Sequence, residues 1–336
     1  MNILQLERNK IYMKVYISRN IPNQAIEVLE EYGFEVEINK DNRILTQQEL
    51  IEACQHVDVL LNVGHADLNA YFLESCKHLK GIALASVGYD HVDLEKASEL
   101  NIPISNTPDV LSGATADVAF LLMLAVSRKA FHRAREVEQG NWKDFEFMQD
   151  LGVELNGKTL GIYGLGRIGL DLAKKAKAAY NMNIIYYNRN KNHEAEQQVD
   201  AKYVNFDDLL TQSDVISLHT NLSAETQYKF NVDTFKRMKN SAILINTARG
   251  KVVNEIDLIK ALERGEIWGA GLDVTDPEPM SRDNPLLKMP TVCVLPHIGS
   301  ATIETRTQMA IMAANNLIAV KNKQPMMQIV NKEIYN

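Results

Sequence analysis

Cysteine is scarce: Cys54, Cys76 and Cys293 are the only three among 336 residues, and they lie far apart. An odd, scattered set forms neither a disulfide framework nor a zinc-ligand pattern, and it suits a reducing cytosol. Long apolar runs are missing too. The longest strongly apolar stretch near the middle, Val118–Val126, has nine residues, far short of the roughly 20 that span a bilayer. Positive charge is not in excess. Lys and Arg number 36 against 43 Asp and Glu, a net charge of −7, which argues against general nucleic-acid binding. Residues 1–12 carry Glu7, Arg8 and Lys10 without an apolar core, so they do not read as a secretion signal. We read them as an upstream extension ahead of a strand opening at Met13. What remains is ordinary globular material, 46% hydrophobic and 24% charged, enough for two domains with cores of their own.

Strand and helix signals alternate in two regions. In the first, strands are expected at Lys14–Ser18, Glu35–Ile38, Val57–Val63 and Gly81–Val87. Helices are expected from Pro22 to Tyr32, stopped by Gly33, and over Thr46–Cys54 and Asn69–Lys77. One long helix, about Gly113 to Gln139, then bridges the domains, apolar at its start and charged after Arg128. The segment Gly140–Asn156 is irregular and holds Trp142, Phe145 and Phe147, an interface arm or a loop folded on its own surface.

The second region carries strands at Thr159–Tyr163, Asn183–Tyr187, Val215–His219, Ala242–Asn246, Gly269–Asp273 and Val292–Pro296. Helices at Arg167–Tyr180, Phe206–Thr211, Val232–Met238 and Glu255–Arg264 separate them. A last helix, about Ala301 to Val320, returns the chain to the first domain. The expected fold class is α/β: two doubly wound, Rossmann-like parallel-sheet domains with a cleft between them, the first discontinuous. Residues 13–112 plus 303–336 form one domain and 113–302 the other.

Gly164-Leu-Gly166-Arg167-Ile168-Gly169 follows a strand and opens a helix. Gly164 permits the tight turn, Gly166 lets backbone approach a pyrophosphate, and Gly169 lets helix and strand pack closely. The helix N-terminus offers N–H groups to phosphates. In this setting the pattern reads as dinucleotide binding. The next strand ends in Asn188-Arg189-Asn190-Lys191, where an NAD site usually has Asp or Glu. An uncharged Asn beside a guanidinium points to NADPH, with NADH possible. The plain alternative is a solvated turn with Asn188 bonding an ordinary ribose.

Three strand-end loops bring Arg249, Asp273 with Glu278, and His297. Each alone reads as an ordinary loop residue; together, beside a dinucleotide fingerprint, they read as a site. No metal is expected: His65, His78, His91, His132, His193 and His219 show no ligand spacing.

From Met13 onward the chain resembles the D-isomer-specific 2-hydroxyacid dehydrogenases, and within them the glyoxylate/hydroxypyruvate reductases. The segments that carry the likeness are Ser86–Asp93, Asn106–Leu111, Leu272–Pro279 and Pro296–Thr302. The resemblance implies Val87 and Gly88 as backbone donors to the substrate carboxylate, with His297 and Ser300 at the substrate. It implies Arg249 as the carboxylate and carbonyl binder, Glu278 as the histidine's partner and His297 as the acid/base. It places Gly164, Gly166, Arg167, Ile168, Gly169, Asn188, Arg189, Asn190, Asn221, Thr247, Asp273 and Gly299 at the cofactor, makes the domain 113–302 the dinucleotide binder and the other the substrate binder, and implies a homodimer.

The chemistry agrees with the residue types. Reduction of a 2-keto acid needs a hydride on carbon and a proton on oxygen. His297 can give the proton, and a neighbouring carboxylate favours its charged form. Arg249 can hold a carboxylate bidentately. The expected protein is a cytoplasmic NADPH-dependent reductase of small 2-keto acids that touches neither nucleic acid nor membrane. A bulkier keto acid such as 2-ketogluconate, decided around Leu61–Asp67, and a dinucleotide-sensing corepressor are the alternatives.

Overall fold

The computed structural model describes residues 12–41 and 43–335, so the suggested extension lies outside the described residues except for Tyr12. The described chain divides into two units, residues up to 111 with those from 301 onward, and 112–300.

The first unit is a five-stranded parallel sheet of β1 (Met13–Ile17), β2 (Phe34–Ile38), β3 (Val59–Asn62), β4 (Ile82–Leu84) and β5 (Ile104–Ser105), ordered β2-β1-β3-β4-β5. All four residues of β3 are buried, as a central strand covered on both faces requires. One face packs Leu60 and Ile82 against Leu50, Phe72 and Leu73. The other packs Val15, Ile17, Val59 and Leu61 against Ala313, Ala314, Leu317 and Ile318 of the helix Ile303–Lys321. The chain's last stretch is fastened to the edge strand, where Asn331 Oδ1 accepts the Ile104 N–H at 2.9 Å. Thr46 begins the helix Gln47–Cys54 with a capping box closed by Glu49.

The second unit is a seven-stranded parallel sheet: β6 (Thr159–Tyr163), β7 (Asn183–Tyr187), β8 (Lys202–Tyr203), β9 (Val215–Leu218), β10 (Ile243–Asn246), β11 (Gly269–Leu272) and β12 (Val292–Val294). Their order is β12-β11-β10-β9-β6-β7-β8. The order reverses between β6 and β9, so the crevice at their C-terminal ends is where such a sheet takes ligands. The helix Ser112–Ser127 lies on this sheet with Ala116, Ala119, Leu122, Met123 and Val126 buried. It sits so close to β11 that a Cβ on Gly271 would stand 2.8 Å from Leu122 Cβ.

The single long helix expected from Gly113 to Gln139 is instead two helices, Ser112–Ser127 and Ala130–Glu138. Lys129 between them is left-handed, with φ 53°. The cause is tertiary. The Ser127 carbonyl accepts the Val153 N–H at 2.8 Å, and Gly152 lies against it so tightly that a Cβ would come within 2.3 Å of that oxygen. The carbonyl is thus taken by a loop rather than by the next helical turn. Asp150 holds the joint from outside, 2.7 Å from Arg133 and 3.8 Å from Lys129. The following segment is irregular, and Trp142, Phe145 and Phe147 are 69%, 81% and 79% exposed. The helix expected over Val232–Met238 covers Val232–Phe235. The helices Leu94–Glu99 and His193–Val199 and the short strands β5 and β8 are additional to the expected elements.

Candidate active site

The glycine turn leaves β6 at Gly164, whose φ of 103° is a conformation side chains rarely adopt. A Cβ there would lie 2.4 Å from the His219 carbonyl oxygen at the end of β9. Gly169 approaches the same turn from the helix side, where a Cβ would stand 2.7 Å from Gly164 O. Gly166 differs: no atom lies within 4 Å of its would-be Cβ. It is the N-cap of the helix Arg167–Tyr180 and makes no side-chain cap. The first turn of a 14-residue helix therefore opens onto clear space through exposed Gly166 and Arg167 and half-buried Ile168. These residues fit a dinucleotide pyrophosphate, by the cradle that two glycines close and the third leaves open.

Around the turn stand the other expected cofactor positions. Asn188, at the end of β7, spends its amide on the turn itself: Oδ1 accepts the Leu165 N–H at 2.7 Å. Arg189 and Asn190 are exposed, as is Lys191. Asn221 is exposed, and its carbonyl accepts the Thr226 hydroxyl at 2.8 Å. Thr247 is buried and its Oγ1 lies 3.5 Å from His219 Nδ1, while Ser217 Oγ lies 2.8 Å from Nε2. Burial pushes the His219 imidazole down to about 3, so it is neutral at physiological pH. The sequence showed this histidine only as one without ligand partners; the Gly164 contact makes it a wall of the cofactor turn.

Three adjacent strands, β10, β11 and β12, deliver Arg249, Glu278 and His297. Asn246, fully buried at the end of β10, shapes the first loop. It donates to the Arg249 carbonyl at 2.9 Å and accepts the Ala248 N–H at 3.0 Å. Arg249 Nη1 bonds the Ala248 carbonyl at 2.8 Å. Gly250 then abuts the second loop, since a Cβ would fall 1.9 Å from Thr275 O. That loop carries Glu278, whose Oε1 lies 2.6 Å from His297 Nδ1. The two side chains are about equally accessible, 33% for His297 and 38% for Glu278.

His297 has a left-handed backbone, φ 56°, unusual for a residue with a side chain. Asp273 explains how it is held. Its carbonyl accepts the His297 N–H at 2.9 Å, and its carboxylate accepts the N–H groups of Ile298 and Gly299, each at 2.8 Å. The carboxyl is buried, and burial raises its pKa against the lowering effect of those two bonds. Gly299 is further fixed by Thr115, whose hydroxyl donates to its carbonyl at 3.2 Å. Ser300 follows, half-buried. His297, on the loop pinned by Asp273, thus faces Glu278 on the neighbouring loop, and Arg249 stands on the loop after β10.

Val87 and Gly88 belong to the first unit, in the turn after β4. Both carbonyls are tied back, Val87 O by Asn106 Nδ2 at 2.8 Å and Gly88 O by Ser86 Oγ at 2.8 Å. The turn is therefore a fixed backbone element at a strand's C-terminal end.

A profile described as D-isomer specific 2-hydroxyacid dehydrogenase, NAD binding domain, matches residues 120–299. A glyoxylate reductase from Thermococcus litoralis is 45% identical over 325 residues, 96% of this chain and 97% of that protein. Among solved structures, the TT0316 protein of Thermus thermophilus aligns with a TM-score of 0.89 at 40% identity, covering 95% of this chain and all of that one. An NADPH-dependent glyoxylate/hydroxypyruvate reductase from Sinorhizobium meliloti, solved with NADP and malonate, aligns with a TM-score of 0.83 at 29% identity, covering 95% of this chain and 96% of that one.

Proposed function

Because the chain belongs to the D-isomer-specific 2-hydroxyacid dehydrogenase family, we propose that it reduces glyoxylate and hydroxypyruvate, with NADPH preferred over NADH. Membership makes it an oxidoreductase acting on CH–OH donors with a nicotinamide dinucleotide. The observation that carries the reductase reading is the 2.6 Å contact of Glu278 with Nδ1 of His297, whose loop is pinned by Asp273.

When bound, the reduced dinucleotide supplies hydride. The protein supplies the rest. Glu278 engages Nδ1 and so turns Nε2 of His297 outward, the nitrogen that gives its proton to the ketone oxygen. Arg249 holds the substrate carboxylate through its planar fork and polarises the carbonyl. The family resemblance gives the N–H groups of Val87 and Gly88 to a substrate carboxylate, which makes the first unit the substrate binder and the second the cofactor binder. Gly164, Gly166, Arg167, Ile168 and Gly169 receive the pyrophosphate, and Asn221, Thr247, Asp273 and Gly299 line the rest of the cofactor path, with Ser300 at the substrate.

For the cofactor, the end of β7 presents Asn188, Arg189, Asn190 and Lys191 and no carboxylate, which supports a 2′-phosphate. The Sinorhizobium relative, named NADPH-dependent, points the same way. For the substrate, a bulkier keto acid such as 2-ketogluconate stands second. It is favoured by Gly64, where a Cβ would meet only Arg19 Cδ, at 4.0 Å. The exposed Trp142, Phe145 and Phe147 fit a homodimer in which this arm is covered by a second copy. Three free, buried cysteines suit the cytoplasm.

The test is a pair of variants. Arg249→Ala and His297→Ala should each lose nearly all glyoxylate reduction while still quenching on NADPH titration. Turnover near wild type in either would remove the role assigned to that residue.

A further inference from the structure

The turn between β7 and the helix His193–Val199 holds Arg189, Asn190 and Lys191, all exposed. It contains no glycine or proline to set its shape. Its two ends are instead fastened to one buried residue, Leu165, inside the glycine turn. Asn188 Oδ1 accepts the Leu165 N–H at 2.7 Å. Asn192 Nδ2 donates to the Leu165 carbonyl at 2.9 Å, while its Oδ1 caps the following helix at the Ala195 N–H. A third fastening comes from Tyr186, fully buried in β7. Its hydroxyl accepts the Asn192 N–H at 2.9 Å and donates to Glu196 at 2.7 Å. That hydrogen bond is the largest of the effects that hold the Glu196 carboxyl below its ordinary range.

We propose that Asn192 and Tyr186 are positioning residues for cofactor discrimination: they lock the Arg189–Lys191 turn to the glycine turn and so hold Arg189 for the 2′-phosphate, while the Lys191 ammonium lies over the Tyr203 ring at 5.3 Å. This rests on the NADPH reading above. A loose turn would still present the same charges, but an exposed cation that must first be ordered gains little from a pairing. The pyrophosphate contacts depend on Gly164, Gly166 and the helix N-terminus, and Leu165 between them keeps both its bonds to Asn188 when Asn192 is changed. A cofactor without the 2′-phosphate should therefore be nearly indifferent to its loss.

Asn192→Ser tests this cleanly. Serine is an equally good helix cap and adds no charge, yet it is too short to reach Leu165. Tyr186→Phe removes the hydroxyl and keeps the ring. Dissociation constants for NADPH and NADH are measured by fluorescence quenching on the full-length wild type and both variants, with kcat and melting temperature alongside. We expect NADPH to weaken about five- to tenfold, the worth of one neutral hydrogen bond. NADH should change less than about twofold on the same reasoning, with kcat at saturating cofactor unchanged and the melting temperature of Asn192→Ser lowered by no more than about 4 °C. A wild type that binds both cofactors equally would overturn the NADPH reading and this proposal with it. A wild type that prefers NADPH, with the ratio unchanged in both variants, would overturn the fastening alone.

Discussion

Two glycines of one turn should respond oppositely to the same methyl group. At Gly166 the added Cβ meets nothing within 4 Å, and its backbone, φ −92° and ψ −156°, is open to any residue. Alanine there stiffens the unfolded chain, which stabilises by roughly 0.4–1 kcal/mol. It is also a poorer N-cap than glycine, a loss of similar size. The two offset, so the melting temperature should stay within a degree or two. The methyl does occupy the clear space into which the helix N-terminus opens. Overpacking of this kind costs about 1–3 kcal/mol, so NADPH should bind about 5- to 150-fold more weakly. At Gly169 the Cβ would lie 2.7 Å from Gly164 O and 2.9 Å from Ile162 Cγ2. Helix and strand must separate even without ligand, at about 1–3 kcal/mol, or about 2–10 °C of melting temperature for a unit of this size. Differential scanning fluorimetry on the free proteins and NADPH quenching titrations read both effects. A Gly166→Ala protein that binds NADPH like wild type, or a Gly169→Ala protein as stable as wild type, would refute the turn's assignment as a pyrophosphate cradle.

Glu278→Gln should lower kcat for glyoxylate about 100-fold, the usual scale of a positioned acid/base contribution, with NADPH affinity unchanged; steady-state kinetics decide, and an unchanged kcat contradicts the pairing. His219 supplies a pH dependence. Its folded value of about 3 lies below the unfolded value near 6.5, so the unfolded chain binds more protons and stability falls as pH drops from 6.5 towards 3. Full linkage would remove about 2 kcal/mol between pH 7.5 and 5; the residue as a whole keeps some solvent exposure, so about 1 kcal/mol is expected. Urea melts of the cofactor-free protein should show this limb flattened in His219→Gln, and an identical limb would contradict it. On the proposed homodimer, light scattering should give a dimer mass for the wild type and a monomer mass once Trp142, Phe145 and Phe147 are all serine; a monomeric wild type would contradict the dimer, and an unchanged dimer would place the interface elsewhere.

Much of the fold is legible because its causes are local. Thr46 and Glu49 spell a capping box three residues apart, and a helix starts there. The run Leu160–Tyr163 into Gly164-Leu-Gly166 reads as strand then turn, which is what forms. The helix break at Lys129 is not legible, because its cause is Val153, 24 residues on, capturing the Ser127 carbonyl. Strands β5 and β8 are two residues each, too short for any alternation to show. At the site, residue types point to Arg249, Glu278 and His297, but not to what holds them. Asp273 reads as a cofactor position, and only the structure shows its carboxylate on two backbone N–H groups of the histidine loop. Tyr186 reads as one more apolar strand residue, since nothing in the sequence places its hydroxyl beside Asn192.

The most direct test of the account follows absorbance at 340 nm with glyoxylate, hydroxypyruvate and 2-ketogluconate, each with NADPH and with NADH. Fast oxidation of NADPH is expected with the two small keto acids, with slower turnover of 2-ketogluconate and weaker use of NADH throughout. Turnover with 2-ketogluconate alone, or with NADH alone, would contradict the substrate or the cofactor assignment respectively. No turnover by protein that binds NADPH would contradict the proposed reaction itself.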